Sequence, residues 1–278
     1  MGIRAGDQFY EIDGVAADTM VTEQAVDLLR GRPGSDVTVR MLRPGIEDPI
    51  EFTIAREVIV LKAVPFSLML DDRVGYVPLL SFRETSATEI RAAIDSLKDE
   101  GMSSLVLDVR GNPGGLLDQG IAVSDLFLSE GQGIVETRGR DTNQNETYAA
   151  QSPDQYPDMP MVVLVDQASA SASEIIAGAL QDHDRAVLIG ETTFGKGSVQ
   201  SLYRLTGGDV LRLTTAKWYT PAGRSIHLDP DSRFAPLGDD VERAYSIAGQ
   251  LIEPVSIEGR PEFQSGGGRT LYGGGGIT

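Results

Sequence analysis

A cluster of serines followed by an isolated lysine is the part of this sequence best suited to chemistry. Residues 168–174 read A-S-A-S-A-S-E, and Lys196 follows Ser171 by 25 positions, between two glycines. A serine hydroxyl becomes a nucleophile when a nearby base takes its proton, and a neutral lysine can be that base. The chain has only 2 histidines, so the commoner serine–histidine pairing has little material. The pattern indicates a serine nucleophile with a lysine base.

A lysine serves as a base only where its surroundings favour the neutral amine. The ordinary pKa of a lysine is ~10.4, and burial in an apolar site without a carboxylate partner lowers it. The neighbours of Lys196 suit such a site, since Phe194 is apolar and the flanking glycines allow close approach of the backbone. The acidic Glu191 is five positions away. These neighbours fit a buried base, and the alternative is a solvated lysine, as in most turns.

The serines lie where a strand is predicted to turn into a helix. The apolar run 161–165 is typical of a buried strand, and residues 171–181 have a helical pattern. A serine at such a turn exposes its hydroxyl, and the free N–H groups of the helix N-terminus can stabilise an oxyanion. The alternative is that these serines only cap the helix and pack as small residues.

A glycine-rich turn follows another predicted strand. Residues 108–115 read D-V-R-G-N-P-G-G, between the apolar run 104–108 and a helical pattern at 117–128. Glycines there can present backbone N–H groups to a ligand, which suits a second oxyanion donor. The alternative is an ordinary turn that requires positive φ angles.

Two rival interpretations use the same part of the chain. Residues 190–196 match the first seven positions of the phosphate-binding loop G-x-x-x-x-G-K-[ST], but Gly197 occupies the eighth and residues 198–204 alternate like a strand, whereas that loop must open a helix. His183 follows Ser171 by 12 residues, or ~18 Å along a helix, too far to act as its base. Spacing does not exclude His227, for which a surface loop is the simpler expectation.

Composition limits the function classes. The chain has 278 residues and a net charge of −17, which disfavours nucleic acid and anionic membranes as partners. It has no cysteine, which excludes disulfides and thiol catalysis. No apolar run is long enough to span a membrane. Both ends read as if cut within domains, so we expect a fragment of a longer protein.

The chain organises into three predicted parts. Residues 1–57 form a β-rich unit, and residues 58–227 alternate strands with helices, typical of an α/β core. Residues 228–278 are acidic and then glycine-rich, a composition usual for a flexible linker, but we expect them to form a truncated C-terminal extension of the core. The predicted strands are 8–12, 37–41, 50–54, 74–77, 104–108, 161–165, 186–189 and 198–204, with helices at 22–30, 88–100, 117–128 and 171–181, a turn at Asp13-Gly14 and a surface loop at 139–158.

Several strings, in order along nearly the whole chain, resemble the C-terminal processing peptidases, or tail-specific proteases. They are L-D-V-R-G-N-P-G-G, S-A-S-A-S-E-I, A-L-Q-D-x-x-R-A, G-E-T-T-F-G-K-G-S-V-Q and G-G-R-T-L-Y-G-G-G-G-I-T. Before them, G-I-R-A-G-D-Q…E-I-D-G-V resembles the later half of a PDZ domain, a module that binds C-terminal peptides by strand addition. The strand and carboxylate loop of its groove should lie before residue 1.

The resemblance implies an α/β core related to crotonase and Clp protease, preceded by a partial PDZ domain. It implies a serine endopeptidase that cuts proteins near their C-termini without a metal or cofactor, and that is usually exported to the periplasm or cell envelope. Expected partners are protein or peptide substrates with apolar C-termini and an adaptor that delivers them. The competing hypothesis is a non-catalytic, PDZ-bearing peptide-binding adaptor.

The resemblance also implies residue roles. Ser171 matches the nucleophile, Lys196 the general base and Gln200 the residue that orients the lysine. The further matches are the oxyanion-hole positions Ala172 and the Gly114-Gly115 pair, and the supporting positions Asp182 and Thr193.

Overall fold

The computed structural model describes residues 2–59, 61–228, 244–245, 251–252 and 259–277. Contacts between residues divide the chain into two compact units, Met1–Leu61 and Lys62–Thr278.

The first unit is a small antiparallel sheet with one helix. Its strands have the order β2-β1-β3-β4, and its buried core consists of Ile12, Val37, Val39 and Met41. The predicted turn at Asp13-Gly14 is confirmed, because both residues adopt positive φ angles, 47° and 81°, between two antiparallel strands. The elements are β1 (Gln8–Ile12), β2 (Val15–Ala16), α1 (Thr22–Leu29), β3 (Asp36–Leu42) and β4 (Ile50–Ala55).

The second unit holds the larger core and the residues of chemical interest. Its elements, in chain order, are β5 (Leu68–Met69), β6 (Val74–Pro78), α2 (Ser86–Asp99), β7 (Ser104–Asp108), α3 (Leu117–Asp125), β8 (Gly133–Gly139), β9 (Thr147–Ala149), β10 (Met161–Val165), α4 (Ala172–Asp182), β11 (Val187–Gly190), β12 (Ser198–Arg204), β13 (Val210–Tyr219), β14 (Ala244–Tyr245), β15 (Leu251–Ile252), β16 (Glu262–Gln264) and β17 (Thr270–Tyr272).

Two sheets organise this unit. The first has the order β11-β10-β7-β6-β5, with its four longer strands parallel and β5 antiparallel at the edge. The second is antiparallel, in the order β12-β13-β8-β9. The inner strands β7 and β10 read as apolar runs because parallel strands that are covered on both faces have few exposed positions, whereas Val187 and Ile189 of the edge strand β11 are exposed. The predicted mixed α/β class is confirmed, while the crotonase, Clp and PDZ likenesses stay predictions.

Helix α4 is the most deeply buried helix in the described part of the chain. All of its 11 residues are buried, so it lies inside the core rather than against its surface. It follows the inner strand β10 after the turn at 166–171, as the sequence predicted. The partial burial of α2, by contrast, follows its helical stripe of Ile90, Ala93, Ile94 and Leu97.

The predicted surface loop at 139–158 is wrong in part, because it includes the strand β9, which closes the edge of the second sheet. The glycine-rich end packs on the core and does not have the flexible-linker character that its composition suggests: Thr270–Tyr272 pairs with Glu262–Gln264, and Ile277 is fully buried in the main core. The glycines there permit close packing, which composition alone does not distinguish from flexibility.

None of the described helices combines the length and the apolar character needed to cross a bilayer.

Candidate active site

The glycine-rich turn and the serine turn lie side by side at one edge of the parallel sheet. Strands β7 and β10 are parallel neighbours, so the turns that leave their carboxyl ends must meet. The Gly111 N–H donates to the Asp166 carboxylate at 2.9 Å, and the Ala170 N–H donates to the Asn112 carbonyl at 3.0 Å. These bonds join the glycine-rich turn to the serine turn.

Ser171 has a strained backbone at the start of α4. Its φ is 58° and its ψ is −114°, a combination that costs a non-glycine residue about 1–3 kcal/mol and that the surroundings must enforce. Strained strand-to-helix turns of this kind present a serine hydroxyl outward. Ser171 is half-buried and lines a cleft.

The structure separates Ser171 from its two neighbouring serines. Ser169 and Ser173 are fully buried, and their hydroxyls donate to the main-chain carbonyls of Val109 and Asn112, at 2.7 and 3.0 Å. These two serines have the structural role that the sequence left open. Ser171 is the serine of this turn that faces the cleft.

A buried carboxylate connects the serine turn with the lysine loop, residues 192–197. Glu174 Oε2 accepts the Ser171 and Lys196 N–H groups, at 2.8 and 2.9 Å. Its Oε1 accepts the Thr193 hydroxyl at 2.7 Å and the Gly195 N–H at 2.6 Å. Burial raises the pKa of the Glu174 carboxyl, and these four hydrogen bonds offset only part of that effect. The Glu174 side chain thus holds the main chains of both Ser171 and Lys196.

The Lys196 side chain is solvated, as in the alternative interpretation. Both Lys196 and Phe194 are exposed, so the structure does not bury the lysine in an apolar site. The reason is local: the glycines bring the lysine main chain close to its neighbours, but the side chain points along the cleft that Ser171 also lines. The lysine loop has a fixed backbone and an accessible amine.

Ser171 and Lys196 face one cleft of about 1100 Å³. Its floor comes from strands β12 and β13, and Gln200 lines it from the first of these strands. The other lining residues include the apolar side chains Leu117, Val199, Ala216 and Trp218 and the polar or charged side chains Thr137, Arg140, Asp141, Asn143, Glu146, Tyr148, Ser201, Tyr203, Thr214 and Thr215. A cleft of this size and mixed lining fits an extended peptide.

The glycine pair lies against the serine turn, but its two N–H groups differ. A Cβ added at Gly114 would lie 2.8 Å from Ser171 Cβ and 3.0 Å from the Ala172 nitrogen, so only glycine allows this approach. The Gly114 N–H donates to Asn112 Oδ1 at 2.9 Å, and the oxyanion role that the resemblance implies for this glycine pair stays a prediction. Within the described residues, the Gly115 and Ala172 N–H groups have no hydrogen-bond acceptor, and Gly115 lines the cleft.

The two residues predicted to support the site, Thr193 and Asp182, lie at different distances from Ser171. Thr193 is buried and bonds directly to Glu174. Asp182 lies at the far end of α4, about 16 Å from Ser171 along the axis, where it pairs with the buried Arg224 and accepts the Ala222 N–H at 2.8 Å. Asp182 therefore fixes the end of the helix and does not reach the cleft.

The rival interpretations do not agree with the geometry. The G-x-x-x-x-G-K segment leads into strand β12 and not into a helix. His183 ends α4 and bonds to the Gly133 carbonyl at 2.7 Å, away from Ser171. His227 lies in a loop, as expected, and is half-buried there; its main-chain nitrogen would lie 2.5 Å from a Cβ at Gly197, and it does not line the cleft.

The sequence analysis missed Glu174 and Asn112. Glu174 had a readable signal, because Ser171 followed three positions later by glutamate is the spacing of a capping box. Asn112 is fully buried and bonds to Leu79 O, Gly114 N and Ala170 N. Nothing in a single sequence indicates those long-range partners.

The family model for peptidase family S41 matches residues 73–234. The chain is 39% identical to the carboxy-terminal-processing protease of Bartonella bacilliformis, over 98% of this chain and 64% of that protein. It is 39% identical to the carboxy-terminal processing protease CtpA of Bacillus subtilis, over 81% of this chain and 48% of that protein. The chain thus spans about half to two thirds of the length of these relatives.

Solved structures agree. The photosystem II D1 C-terminal processing protease matches with a TM-score of 0.55 and 32% identity, over 81% of this chain and 61% of that chain. A putative S41 protease from Bacteroides fragilis, at 20% identity and a TM-score of 0.53, covers 80% of this chain and 63% of its own and shows the shared fold. With a family model over more than half of its length and a 39% identical relative over nearly all of it, the chain belongs to peptidase family S41, a family of serine-type peptidases.

Proposed function

We propose that this chain cleaves polypeptides near their C-termini, with Ser171 as nucleophile and Lys196 as general base. The observation that carries the proposal is Glu174, which accepts the N–H groups of both residues while both side chains line one cleft. The names of the relatives, carboxy-terminal-processing proteases, support the substrate class. They do not favour the alternative of a non-catalytic adaptor.

The reaction proceeds in two stages. Ser171 Oγ attacks the scissile carbonyl carbon, and its proton passes to the neutral Lys196 Nζ. The C–N bond then breaks, the proton moves to the leaving amine, and an acyl-enzyme ester remains on Ser171. Lys196 next takes a proton from water, the hydroxide attacks the ester, and Ser171 regains its proton. No step requires a metal or cofactor.

The oxyanion of each tetrahedral intermediate would lie between the N–H groups of Ala172 and Gly115. Ala172 is the first residue of α4, so its N–H has no partner within the helix and the helix dipole favours negative charge there. Two donors held by a rigid backbone stabilise such an intermediate more than water does. Gly114 contributes by its close approach to Ser171 and not as a donor.

Binding of the substrate would make Lys196 a better base. Lys196 is exposed, and a peptide lying in the cleft would cover it and remove water from its amine, which favours the neutral form. Gln200, on the adjoining strand β12, lines the same cleft, which supports the proposal that it orients the amine once the cleft is filled. The apolar side chains Leu117, Val199 and Trp218 would hold apolar residues of the substrate tail.

Three further features belong to the proposal. The unit Met1–Leu61 is part of a PDZ-like module that helps to select substrates, with an adaptor as a further partner. The second unit is a core of the crotonase and Clp protease type. The site of action is extracytoplasmic, as the resemblance implies.

The test is cleavage of an unfolded model protein that ends in apolar residues. The chain and its Ser171→Ala variant are incubated with it, and intact masses of the products are compared. Loss of C-terminal fragments only with Ser171 present supports the proposal. Equal fragment patterns with both proteins, or an uncut substrate with both, would refute it for this chain.

A further inference from the structure

The glycine-rich end of the chain packs directly on the lysine loop. The Thr193 N–H donates to the Ile277 carbonyl at 3.0 Å, and the Ile277 N–H donates to the Thr193 hydroxyl oxygen at 2.8 Å. This reciprocal pair joins residues 84 positions apart. Thr193, which bonds to Glu174, is therefore held in place by Ile277.

The Thr193 hydroxyl passes this constraint on to the candidate active site. A hydroxyl has one proton to donate. Because its oxygen accepts the Ile277 N–H, its own proton is directed to Glu174 Oε1, at 2.7 Å. Glu174 in turn holds the N–H groups of Ser171 and Lys196. A continuous path of hydrogen bonds leads from Ile277 to both chemical residues.

The backbone of Gly276 can take no other side chain. Its φ is +83°, and a Cβ there would lie 2.4 Å from the Thr193 carbonyl oxygen. Gly274, two positions earlier, has a similar φ of +74°, but a Cβ there would meet nothing closer than Pro261 Cδ at 3.9 Å. Only the glycine at 276 is required by contact with the lysine loop.

Core packing anchors this end of the chain. Ile277 is 0% exposed and belongs to the main hydrophobic core. The Gly276 N–H donates to the Ile226 carbonyl at 3.1 Å, and Leu228, two positions on, donates its N–H to the Gly195 carbonyl at 2.9 Å. The anchor is thus tied to the lysine loop through two separate segments.

We propose that Gly276 and Ile277 are positioning residues of the active site. They hold Thr193 so that its hydroxyl meets Glu174, and through Glu174 they set the distance between the Ser171 and Lys196 main chains. This inference rests on the proposed function, since it assigns a role in the same reaction. Neither residue touches the substrate.

The matched variants Gly276→Ala and Gly274→Ala test the proposal. Both place a Cβ at a positive φ, so both carry a similar backbone strain, but only Gly276→Ala displaces Thr193. Two quantities are measured on the full chain: the rate at which a fluorophosphonate labels Ser171, and amide hydrogen exchange in residues 192–198.

We expect labelling to fall about a hundredfold in Gly276→Ala, the order of loss that a displacement of about 1 Å produces. Exchange at Gly195 and Lys196 should rise about tenfold or more, because Glu174 no longer holds their N–H groups. Gly274→Ala should stay close to the unchanged chain in both measurements. Equal behaviour of the two variants would overturn the proposal.

A second pair of variants covers the case in which Gly276→Ala does not fold. Thr193→Val keeps the shape of the side chain and removes the hydroxyl, whereas Thr193→Ser keeps the hydroxyl. The proposal requires slow labelling and fast exchange in Thr193→Val, and recovery of most of the rate in Thr193→Ser. Equal rates in these two variants would contradict it.

Failure of the proposed function has a different signature. In that case the unchanged chain is not labelled at Ser171, or is labelled at the same rate after Lys196→Ala, and the positioning role falls with it. Failure of the inference alone leaves the unchanged chain active and makes the Gly276 and Gly274 variants alike.

Discussion

The serine turn and the lysine loop carry the two candidate catalytic residues, which differ in how far their side chains are buried. In the turn, Ser171 is half-buried and strained, between the fully buried Ser169 and Ser173. In the loop, the main chain is as firmly bonded, but the Lys196 side chain is exposed. Folding therefore fixes both the backbone and the surroundings of Ser171, but only the backbone of Lys196. In the proposed mechanism, a substrate in the cleft places the amine.

The largest expected effect comes from removing the Ser171 hydroxyl or the Lys196 amine. Ser171→Ala and Lys196→Ala should each lower cleavage by about 10³-fold or more, because one loses the attacking atom and the other the base. Lys196→Arg should fail as well, since arginine does not deprotonate. Cleavage rates measured on the folded variants check this.

The control for the lysine variants is Lys217→Ala, at an exposed lysine of β13 that does not line the cleft. It should leave the rate unchanged. Hydrolysis retained by purified Lys196→Ala would show that some other group acts as the base.

Glu174→Gln should break the link between the two regions. The amide keeps one acceptor oxygen and places an NH₂ donor against N–H and O–H donors, so at least one buried donor loses its partner at a cost of about 1–3 kcal/mol. We expect about a hundredfold slower cleavage and a lower melting temperature. The matched control is Glu191→Gln, at an exposed glutamate just before the lysine loop; a similar loss of activity there would remove the special role of Glu174.

Gly114→Ala tests the serine turn without touching the lysine loop. Its Cβ would crowd Ala170 O at 2.7 Å and Ser171 Cβ at 2.8 Å, so we expect cleavage to fall about tenfold or more. Gly111→Ala is the matched control, because Gly111 also has a positive φ but has open space around the added Cβ. Similar kinetics in the two variants would contradict this account of the turn.

The smallest effect concerns pH. Burial raises the pKa of the Glu174 carboxyl, so the folded chain binds this proton more tightly than the unfolded chain. The stabilisation that this proton contributes is complete below the ordinary glutamate pKa of ~4.3 and is lost as pH rises from there through the raised value. The difference in melting temperature between the unchanged chain and Glu174→Gln should therefore change across this pH interval, with the unchanged chain losing stability as pH rises. A constant difference would show that the pKa is not raised.

Much of the second unit could be predicted because its signals are local. The runs 104–108 and 161–165 are strands with those bounds in the structure, since strands buried on both faces are apolar throughout. The strand-to-helix turn at Ser171 was readable for the same reason. Strand β13, at 210–219, was missed because a mostly exposed strand carries no strong apolar pattern.

The order of the elements predicts which turns are neighbours, but not which contacts form between distant segments. Ser171 and Lys196 were chosen as candidates from residue type and spacing, and both line one cleft in the structure. The contact of Ile277 with Thr193, and the pairing of Asp182 with Arg224, join segments that are distant along the chain. The exposure of Lys196 could not be read either, because burial depends on which elements cover a loop.

The activation of Ser171 by Lys196 is tested most directly by the rate at which a fluorophosphonate labels Ser171. This rate is measured in the unchanged chain, Lys196→Ala and Glu174→Gln, and the labelled residue is located by mass spectrometry. We expect labelling at Ser171 in the unchanged chain, its loss in Lys196→Ala, and an intermediate rate in Glu174→Gln. Equal labelling rates in all three proteins would show that Lys196 does not activate Ser171 and that Glu174 does not couple the two regions.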